Sequence, residues 1–590
     1  MDSVNSLKGY GKVDEVEQQA FKRKQRRRLV TLIIVIILLL TIIIGAVVGI
    51  FIHKKRSNSP PDTVPTMPEL TPAASLKAVC SVTQYPASCF SSISSIASSN
   101  TTDPELLFKL SLKVAIDELS RLSKYPTELK AETNDTQLKS ALQVCESMFE
   151  DALDRLNDSA TSLEVGKGGK QLSDSKIGDL KTWLSAAITD QETCLDALEE
   201  LNTTKHFNAT LVEEMKAAMQ NSSEYASNSL AIVARILGLL TDLNIPIHRR
   251  LLGFEEWGSG SEFPAWVSPT ERRLLQESKP SPNVTVAQDG SGDVLTINDA
   301  VKLVGKKNES RFVIYVKEGK YVENVILDKH KWNVMIYGDG KTKTLISGSL
   351  NFVDGTPTFA TATFAVAGKG FIAKDIGFNN SAGAAKHQAV ALRSSSDRSV
   401  FYRCAFDAYQ DTLYAHSNRQ FYRECDILGT IDFIFGNAAV VFQSCNILPR
   451  QPLPNQFNTI TAQGKKDPNQ NTGISIQRCS LTAFGNLTAR TYLGRPWKEF
   501  STTVIMQSKI GAFLDPVGWK EWVANVDPPS SIFYAEYHNS GPGSSVDKRV
   551  KWTGYRPTLS DVDAGKFTVE TFIQGQDWLP DATVSYEPAL

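Results

Sequence analysis

An excess of either charge is missing from this chain: 63 Lys+Arg stand against 64 Asp+Glu, a formal net charge of −1. Without a global basic surplus, nucleic acid is not an expected partner. Cysteine is sparse, with 8 in 590 residues, too few for a disulfide-dense miniprotein. No C-x-x-C occurs, which removes the paired zinc-ligand motif. No G-x-S-x-G occurs, so Ser-His-Asp esterase chemistry lacks its usual local mark. What is present is ordinary for folded protein, 42% hydrophobic and 22% charged. That balance excludes a chain disordered throughout, a collagen-like chain and a polytopic membrane protein.

Charge is also absent from Leu29 to Ile52, a run made mostly of Ile, Leu and Val. At about 1.5 Å per helical residue such a run spans the ~30 Å hydrocarbon layer, and it exceeds the apolar core of a cleaved signal peptide. Residues 1–28 form a basic tail ending in Lys22, Arg23, Lys24, Arg26, Arg27 and Arg28, and Lys54, Lys55 and Arg56 follow the run. The heavier positive side stays cytosolic, so 29–52 is expected to be a signal-anchor with the rest in the secretory lumen. A cleaved signal is the alternative. N-x-[ST] sequons begin at Asn100, Asn134, Asn157, Asn202, Asn208, Asn221, Asn283, Asn308, Asn379 and Asn486, compatible with that topology.

Two periodicities follow a Pro/Ser/Thr-rich linker, residues 53–75. Residues 76–247 carry apolar positions at helical spacing in four long stretches, which predicts an up-and-down four-helix bundle. Cys80 and Cys89 fall in a short N-terminal hairpin and are expected to pair. Cys145 and Cys194 each lie within a long stretch, so a bond between them would clamp two helices. Residues 76–245 carry 15 Lys+Arg and 24 Asp+Glu, whereas 276–590 carry 33 and 30. Between the two regions, residues 248–275 hold one tetrapeptide twice, Arg249-Arg250-Leu251-Leu252 and Arg272-Arg273-Leu274-Leu275. The repetition reads as processing sites, with cleavage after Leu252 or Leu275.

Residues 276–590 are β-rich and internally repetitive. Phe401-Tyr402-Arg403-Cys404 is echoed by Phe421-Tyr422-Arg423-Glu424-Cys425, by Phe442-Gln443-Ser444-Cys445 and by Ile476-Gln477-Arg478-Cys479. A period near twenty residues carrying one short strand predicts a parallel β-helix. Cys404 and Cys425 share a phase on successive coils and are expected to pair, which leaves Cys445 with Cys479. Asp411 and Asp432 each lie seven residues after a repeat cysteine, and Gln388 and Gln410 are also about one coil apart. Strands stack about 4.8 Å apart, so the two aspartates should be neighbours. Two close carboxylates cannot both ionise cheaply, which suits one to donate a proton while the other attacks. Asp432 sits among apolar residues and needs a cationic partner, for which Arg495 in Gly494-Arg495-Pro496-Trp497 is the candidate. Trp497 offers a flat face of the kind on which sugar rings stack. A stack of structural polar residues with a salt bridge is the non-catalytic alternative.

Gly429 to Asn437, Tyr409 to Tyr414 and Leu493 to Lys498 resemble the signature segments of plant pectin methylesterases, and the four-cysteine helical region resembles their inhibitor-like pro-region. The resemblance implies a right-handed parallel β-helix that hydrolyses methyl esters of homogalacturonan to methanol and free galacturonate. It implies Asp432 as nucleophile, Asp411 as general acid then base, and Gln410 as oxyanion donor assisted by Gln388. It further implies that Arg495 positions Asp432, that Trp497 lines the sugar groove and that Thr358 touches substrate. It calls for no metal or organic cofactor. Expected partners are pectin, the membrane before processing, a subtilisin-like protease and separate inhibitor proteins, with the mature enzyme in the cell wall. A glycosidase or lyase on the same solenoid, and a catalytically dead wall-binding protein, are the competing classes.

Overall fold

The computed structural model describes residues 71–164, 173–201, 209–237, 280–579 and 584–590. The expected anchor, both dibasic pairs with Leu252 and Leu275, and the sequons at Asn202 and Asn208 lie outside them. Among the described residues, no helix is long and apolar enough to cross a membrane.

The first region is helical: α1 (Pro72–Ser81), α2 (Pro86–Ser94), α3 (Pro104–Leu122), α4 (Tyr125–Glu132), α5 (Thr136–Glu164), α6 (Asp174–Leu201) and α7 (Ala209–Ile232). Proline opens α1, α2 and α3, where a missing N–H costs nothing. The side chains of Thr71 and Asp103 cap α1 and α3 by accepting the N–H groups of Ala74 and Glu105. Pro72 thus starts the first helix inside the expected linker. The long helices α3, α5, α6 and α7 bury Leu107, Leu119, Phe149, Leu184 and Leu230 in one core. Two disulfides staple it. Cys80–Cys89 joins α1 to α2, and Cys145–Cys194 joins α5 to α6 across 49 residues.

The second region is a β-helix of three sheets, with 11, 8 and 7 strands, and every strand pairing is parallel. One residue in left-handed conformation turns each of several coils from the 11-stranded sheet into the 8-stranded one: Arg403, Glu424, Ser444, Arg478 and Gln507, with φ between 52° and 55°. Each stands just before Cys404, Cys425, Cys445, Cys479 or Ser508, so the sequence echo marks this corner. Its alignment on phenylalanine is off by one in the middle coil. Phe401 pairs with Tyr422, which pairs with Phe442. Those three rings stack in the interior with centroids 4.5 and 4.7 Å apart. Phe421 points instead to a separate apolar cluster outside the sheet.

The expected Cys404–Cys425 and Cys445–Cys479 bonds are not formed; all four are buried free thiols. The geometry of the ladder accounts for this. The cysteines precede residues paired in register, Ala405 with Asp426, Asp426 with Asn446 and Asn446 with Ser480. Parallel stacking holds such side chains at the strand spacing of about 4.8 Å, whereas a disulfide draws its Cβ atoms to about 3.8 Å. Each sulfur instead lies against a main-chain carbonyl. Cys425 Sγ donates to Phe401 O at 3.3 Å, and Cys479 Sγ donates to Phe442 O at 3.4 Å.

Candidate active site

The 7-stranded sheet presents the predicted residues on one face. Leu413 pairs with Ile434, which sets Asp411 beside Asp432 on the next coil, and Gln388 bridges to Gln410 in the same parallel sense. Both aspartates have left-handed backbone, φ 61° at Asp411 and 51° at Asp432. Non-glycine residues adopt that region at a cost of roughly 1 kcal/mol or more, and functional sites are where such strain collects. Asp411 is 8% exposed and Asp432 5%.

Asp432 is held at three points. Arg495 Nε donates to Oδ1 at 2.9 Å and Arg495 Nη2 to Oδ2 at 2.5 Å. The hydroxyl of Thr459 donates to Oδ1 at 2.6 Å, and the Asp432 N–H donates back to the Thr459 oxygen at 3.0 Å. Thr459 escaped the sequence reading. It occupies the next rung of the Asp411–Asp432 stack, 27 residues on, and an insertion in that coil hides its phase. Burial, reinforced by the charges of Asp432 and Glu200, pushes the Asp411 carboxyl well above the ordinary carboxylate range. The site therefore sets an oriented Asp432 beside a carboxyl that holds its proton more tightly than usual.

Aromatic residues flank the pair. The Arg495 guanidinium lies 4.2 Å from the ring centre of Trp522, a second residue that sequence reading missed. Trp497 stacks against Trp522 with centroids 6.3 Å apart, and its ring packs on Gly464, where a Cβ would come within 2.9 Å. Thr358 lies in a short 3-10 turn, and its N–H donates to Glu200 Oε2 of the bundle at 3.0 Å.

That contact is one of a series, because α6 lies along this face. Its apolar side, with Leu184, Ile188 and Leu198, belongs to the bundle core. Its other side is polar and returns every three or four residues. Asp179 pairs with Arg419 at 2.7 Å and Arg398 at 3.0 Å. Thr182 accepts from Asn471 Nδ2 at 3.0 Å, and the Ser185 carbonyl accepts from Gln470 Nε2 at 2.9 Å. Thr189 accepts from Asn437 at 2.9 Å, Thr193 meets His416 at 2.9 Å, and Asp196 pairs with Lys498. Burial pushes Asp196 up to about 6 and Glu200 up to about 7, each opposed by its hydrogen-bond partner.

Among the sequons, Asn100, Asn134, Asn157, Asn221, Asn283 and Asn486 are exposed, and Asn308 is half-buried. Asn379 is half-buried. It lies within a strand, its Nδ2 donates to Asp407 O at 2.9 Å and its Oδ1 accepts from Ser347.

The family model described as Pectinesterase matches residues 283–576, and the one described as Plant invertase/pectin methylesterase inhibitor matches 74–232. Pectinesterase 3 of Phaseolus vulgaris is 65% identical over 597 residues, covering 100% of both chains. Pectinesterase 1 of Arabidopsis thaliana is 63% identical over 586 residues, 98% of each. Among solved structures, 53% of this chain covers 100% of the pectin methylesterase from carrot, at 50% identity and a TM-score of 0.52. That share matches the β-helix region in size, so a β-helix of this kind stands as a folded unit with no bundle attached. A stacked aspartate pair on a parallel β-helix, an inhibitor-like bundle before it and relatives of full length agree: the chain belongs to the pectinesterase family.

Proposed function

We propose that the β-helix hydrolyses methyl esters of homogalacturonan through Asp432 and Asp411, and that the bundle holds it inactive until the linker is cut. The three-point grip on Asp432 beside Asp411, whose proton is held more tightly than usual, carries the reading. Arg495 and Thr459 fix the Asp432 carboxylate, which attacks the ester carbonyl carbon. Gln410, with Gln388 beside it, offers amide N–H groups to the developing oxyanion. Asp411 gives its proton to the leaving methoxide, which departs as methanol. A water then enters, Asp411 takes its proton, and attack on the mixed anhydride frees the galacturonate carboxylate and Asp432. Trp497 and Thr358 line the sugar groove. Every group in this cycle is a side chain of the β-helix, so the scheme needs no metal or organic cofactor.

Inhibition rests on where α6 lies. Glu200 occupies the Thr358 N–H, and α6 runs over the face that a polysaccharide must reach. Cleavage after Leu275 or Leu252 by a subtilisin-like protease converts a tethered inhibitor into a free one and removes its high effective concentration. The same cut releases the esterase from a membrane anchor at 29–52 into the cell wall. The test is methanol release from esterified pectin. A fragment starting near Gln276 is expected to be active. The full chain with Arg249, Arg250, Arg272 and Arg273 changed to Ala should stay uncut and nearly silent. An inactive fragment sinks the chemistry. An uncut chain as fast as the fragment sinks the inhibition.

A further inference from the structure

At its first turns α6 meets the C-terminal part of the β-helix region. The Ser175 hydroxyl donates to Asp577 Oδ2 at 3.1 Å, and Gly178 packs so closely on the Gln574 amide that a Cβ would lie 2.1 Å from its nitrogen. Beside this contact the seam does not close. A cavity of about 630 Å³ is left between α6, the bundle at Ala234, the corner at 465–472 and the short helix Val569–Ile573. That is the volume of a small-molecule site. None of its lining residues takes part in the catalytic cycle proposed above.

The chemistry of the lining is unbalanced. Lys181, Lys465 and Lys566 stand against one carboxylate, Asp174. Asp563 pairs with Lys566 at 2.8 Å. The Lys465 ammonium has no such partner among the described residues. Asp467, two residues on, has its oxygens engaged elsewhere. Its Oδ2 accepts from Ser227 at 2.5 Å and from Gln84 at 3.3 Å, and its Oδ1 accepts from the Asn469 N–H at 2.7 Å. Burial pulls the Lys465 pKa down to about 8, against the opposing charge of Asp467. Asn471 adds an orphan of the other kind: its Nδ2 donates to Thr182 at 3.0 Å, but its buried Oδ1 accepts nothing. One wall is aromatic. Phe533 and Phe567 stack with centroids 5.4 Å apart, and Phe572 lies 5.4 Å from Phe567. A ligand that satisfies this set carries a carboxylate for Lys465, a hydroxyl to donate to Asn471 Oδ1 and an apolar face for the phenylalanines. An acidic sugar has all three. An inorganic anion has only the first, and a neutral sugar only the other two.

We propose that the seam cavity is a binding site for a small acidic sugar of one or two uronate rings, which bridges α6 to the β-helix and favours the docked state. The carboxylate pairs with Lys465, a ring hydroxyl donates to Asn471 Oδ1, and the sugar lies between the phenylalanine wall and Ile177 of α6. Because α6 supplies part of the lining, the site is complete only while the bundle is docked. A ligand that binds one state better than the other shifts the balance toward it. The cavity thus offers a way for a soluble molecule to hold the bundle in place.

The test is calorimetry with digalacturonate on the full chain in detergent, with Arg249, Arg250, Arg272 and Arg273 changed to Ala so that the bundle stays attached. Digalacturonate should bind at least about tenfold more tightly than galactobiose or inorganic phosphate. Lys465→Gln should weaken it by about tenfold, the loss of one charge-assisted hydrogen bond. Thr571→Trp, at an exposed lining position, should abolish binding by filling the cavity, and it keeps the test open if Lys465→Gln fails to fold. In residues 280–590, where the α6 wall is missing, Lys465→Gln should change Kd by less than about twofold. That arm separates the seam from any sugar bound in the open groove. No binding to the uncut chain would overturn the proposal. So would binding that neither variant weakens, or equal affinity for phosphate or galactobiose. An equal loss from Lys465→Gln with and without the bundle would put the site on the β-helix alone and overturn the bridging role. None of these measurements uses methanol release, so failure of the esterase reading would leave them standing.

Discussion

The bundle and the β-helix order their chains by opposite means. The bundle uses contacts close in sequence and fastens them covalently, with bonds that bridge 9 and 49 residues. The β-helix pairs each strand with one on the next coil, and its four thiols stay free in the interior. The backbone differs as well. Among the described residues, every non-glycine residue with positive φ lies from Lys307 onward, and none lies in the bundle. Helices have no place for such residues, whereas a solenoid needs a corner in every coil. Asp411 and Asp432 sit at two of those bent positions, so the architecture that demands strained residues also holds the two aspartates proposed to react. The bundle contributes what a rigid helix does well, a straight polar edge that matches a straight groove.

Chemistry is where the two regions should differ most. Asp411→Asn in the released esterase is expected to lower methanol release by about 10³-fold, since the amide cannot donate or take the proton. Thr459→Val should cost about tenfold through a less well-oriented Asp432, with the fold intact by circular dichroism. A folded Asp411→Asn enzyme with near-normal turnover would sink the stacked-carboxylate mechanism.

Covalent fastening comes next. Cys145→Ala opens a 49-residue loop and should destabilise the bundle by about 4 kcal/mol in urea melts on the chain-entropy estimate. Cys425→Ala breaks no bond and should cost about 1 kcal/mol, the loss of a small buried sulfur. Equal losses would mean that the two sets of cysteines are not used differently.

The seam between the regions is the third handle. Asp179→Ala takes a carboxylate from the Arg419 and Arg398 pair, although Asp397 still holds Arg419. The Kd between separated bundle and esterase should rise by about thirtyfold, or about 2 kcal/mol, in surface plasmon resonance.

Acidity supplies the smallest expected effect. In the docked state burial raises Glu200 from an ordinary 4.5 to about 7 and Asp196 from 3.8 to about 6. A raised pKa in the docked state means that docking takes up protons. Its contribution is full below the free-state value and fades as pH climbs through the docked one. Association should therefore weaken at least about tenfold between pH 5 and pH 7. Glu200→Gln should flatten that slope, and a slope of opposite sign would show that other groups govern the seam.

The two regions were unequally legible. In the β-helix, Cys404, Asp411 and Gln388 announced their coils because the repeat keeps its phase over several turns. The reading failed where the phase slips. Glu424 adds one residue and displaced Phe421 from the stack, and a longer coil hid Thr459. The stacked cysteines looked pairable because Cα spacing alone permits it, while an in-register ladder keeps the Cβ atoms farther apart than a disulfide does. In the bundle, helices and disulfides were legible from apolar periodicity, yet the working edge of α6 was not. Thr182, Ser185, Thr189 and Thr193 are small hydroxyl residues at helical spacing, where long charged side chains would mark a solvent face. That pattern is the signal for a helix packed on both sides, and net charge over the region obscured it.

The free thiols also bear on how the chain is made. Eight cysteines joined in pairs admit 105 arrangements, whereas four admit three. A β-helix that closes early seals Cys404, Cys425, Cys445 and Cys479 away from oxidants and from exchange. Only the bundle's four sulfurs are then left to sort, and Cys80 and Cys89 lie nine residues apart. Coils that close before oxidation would leave one easy pair and one remaining pair. Slowing coil closure, rather than altering any cysteine, would be the route to scrambled disulfides.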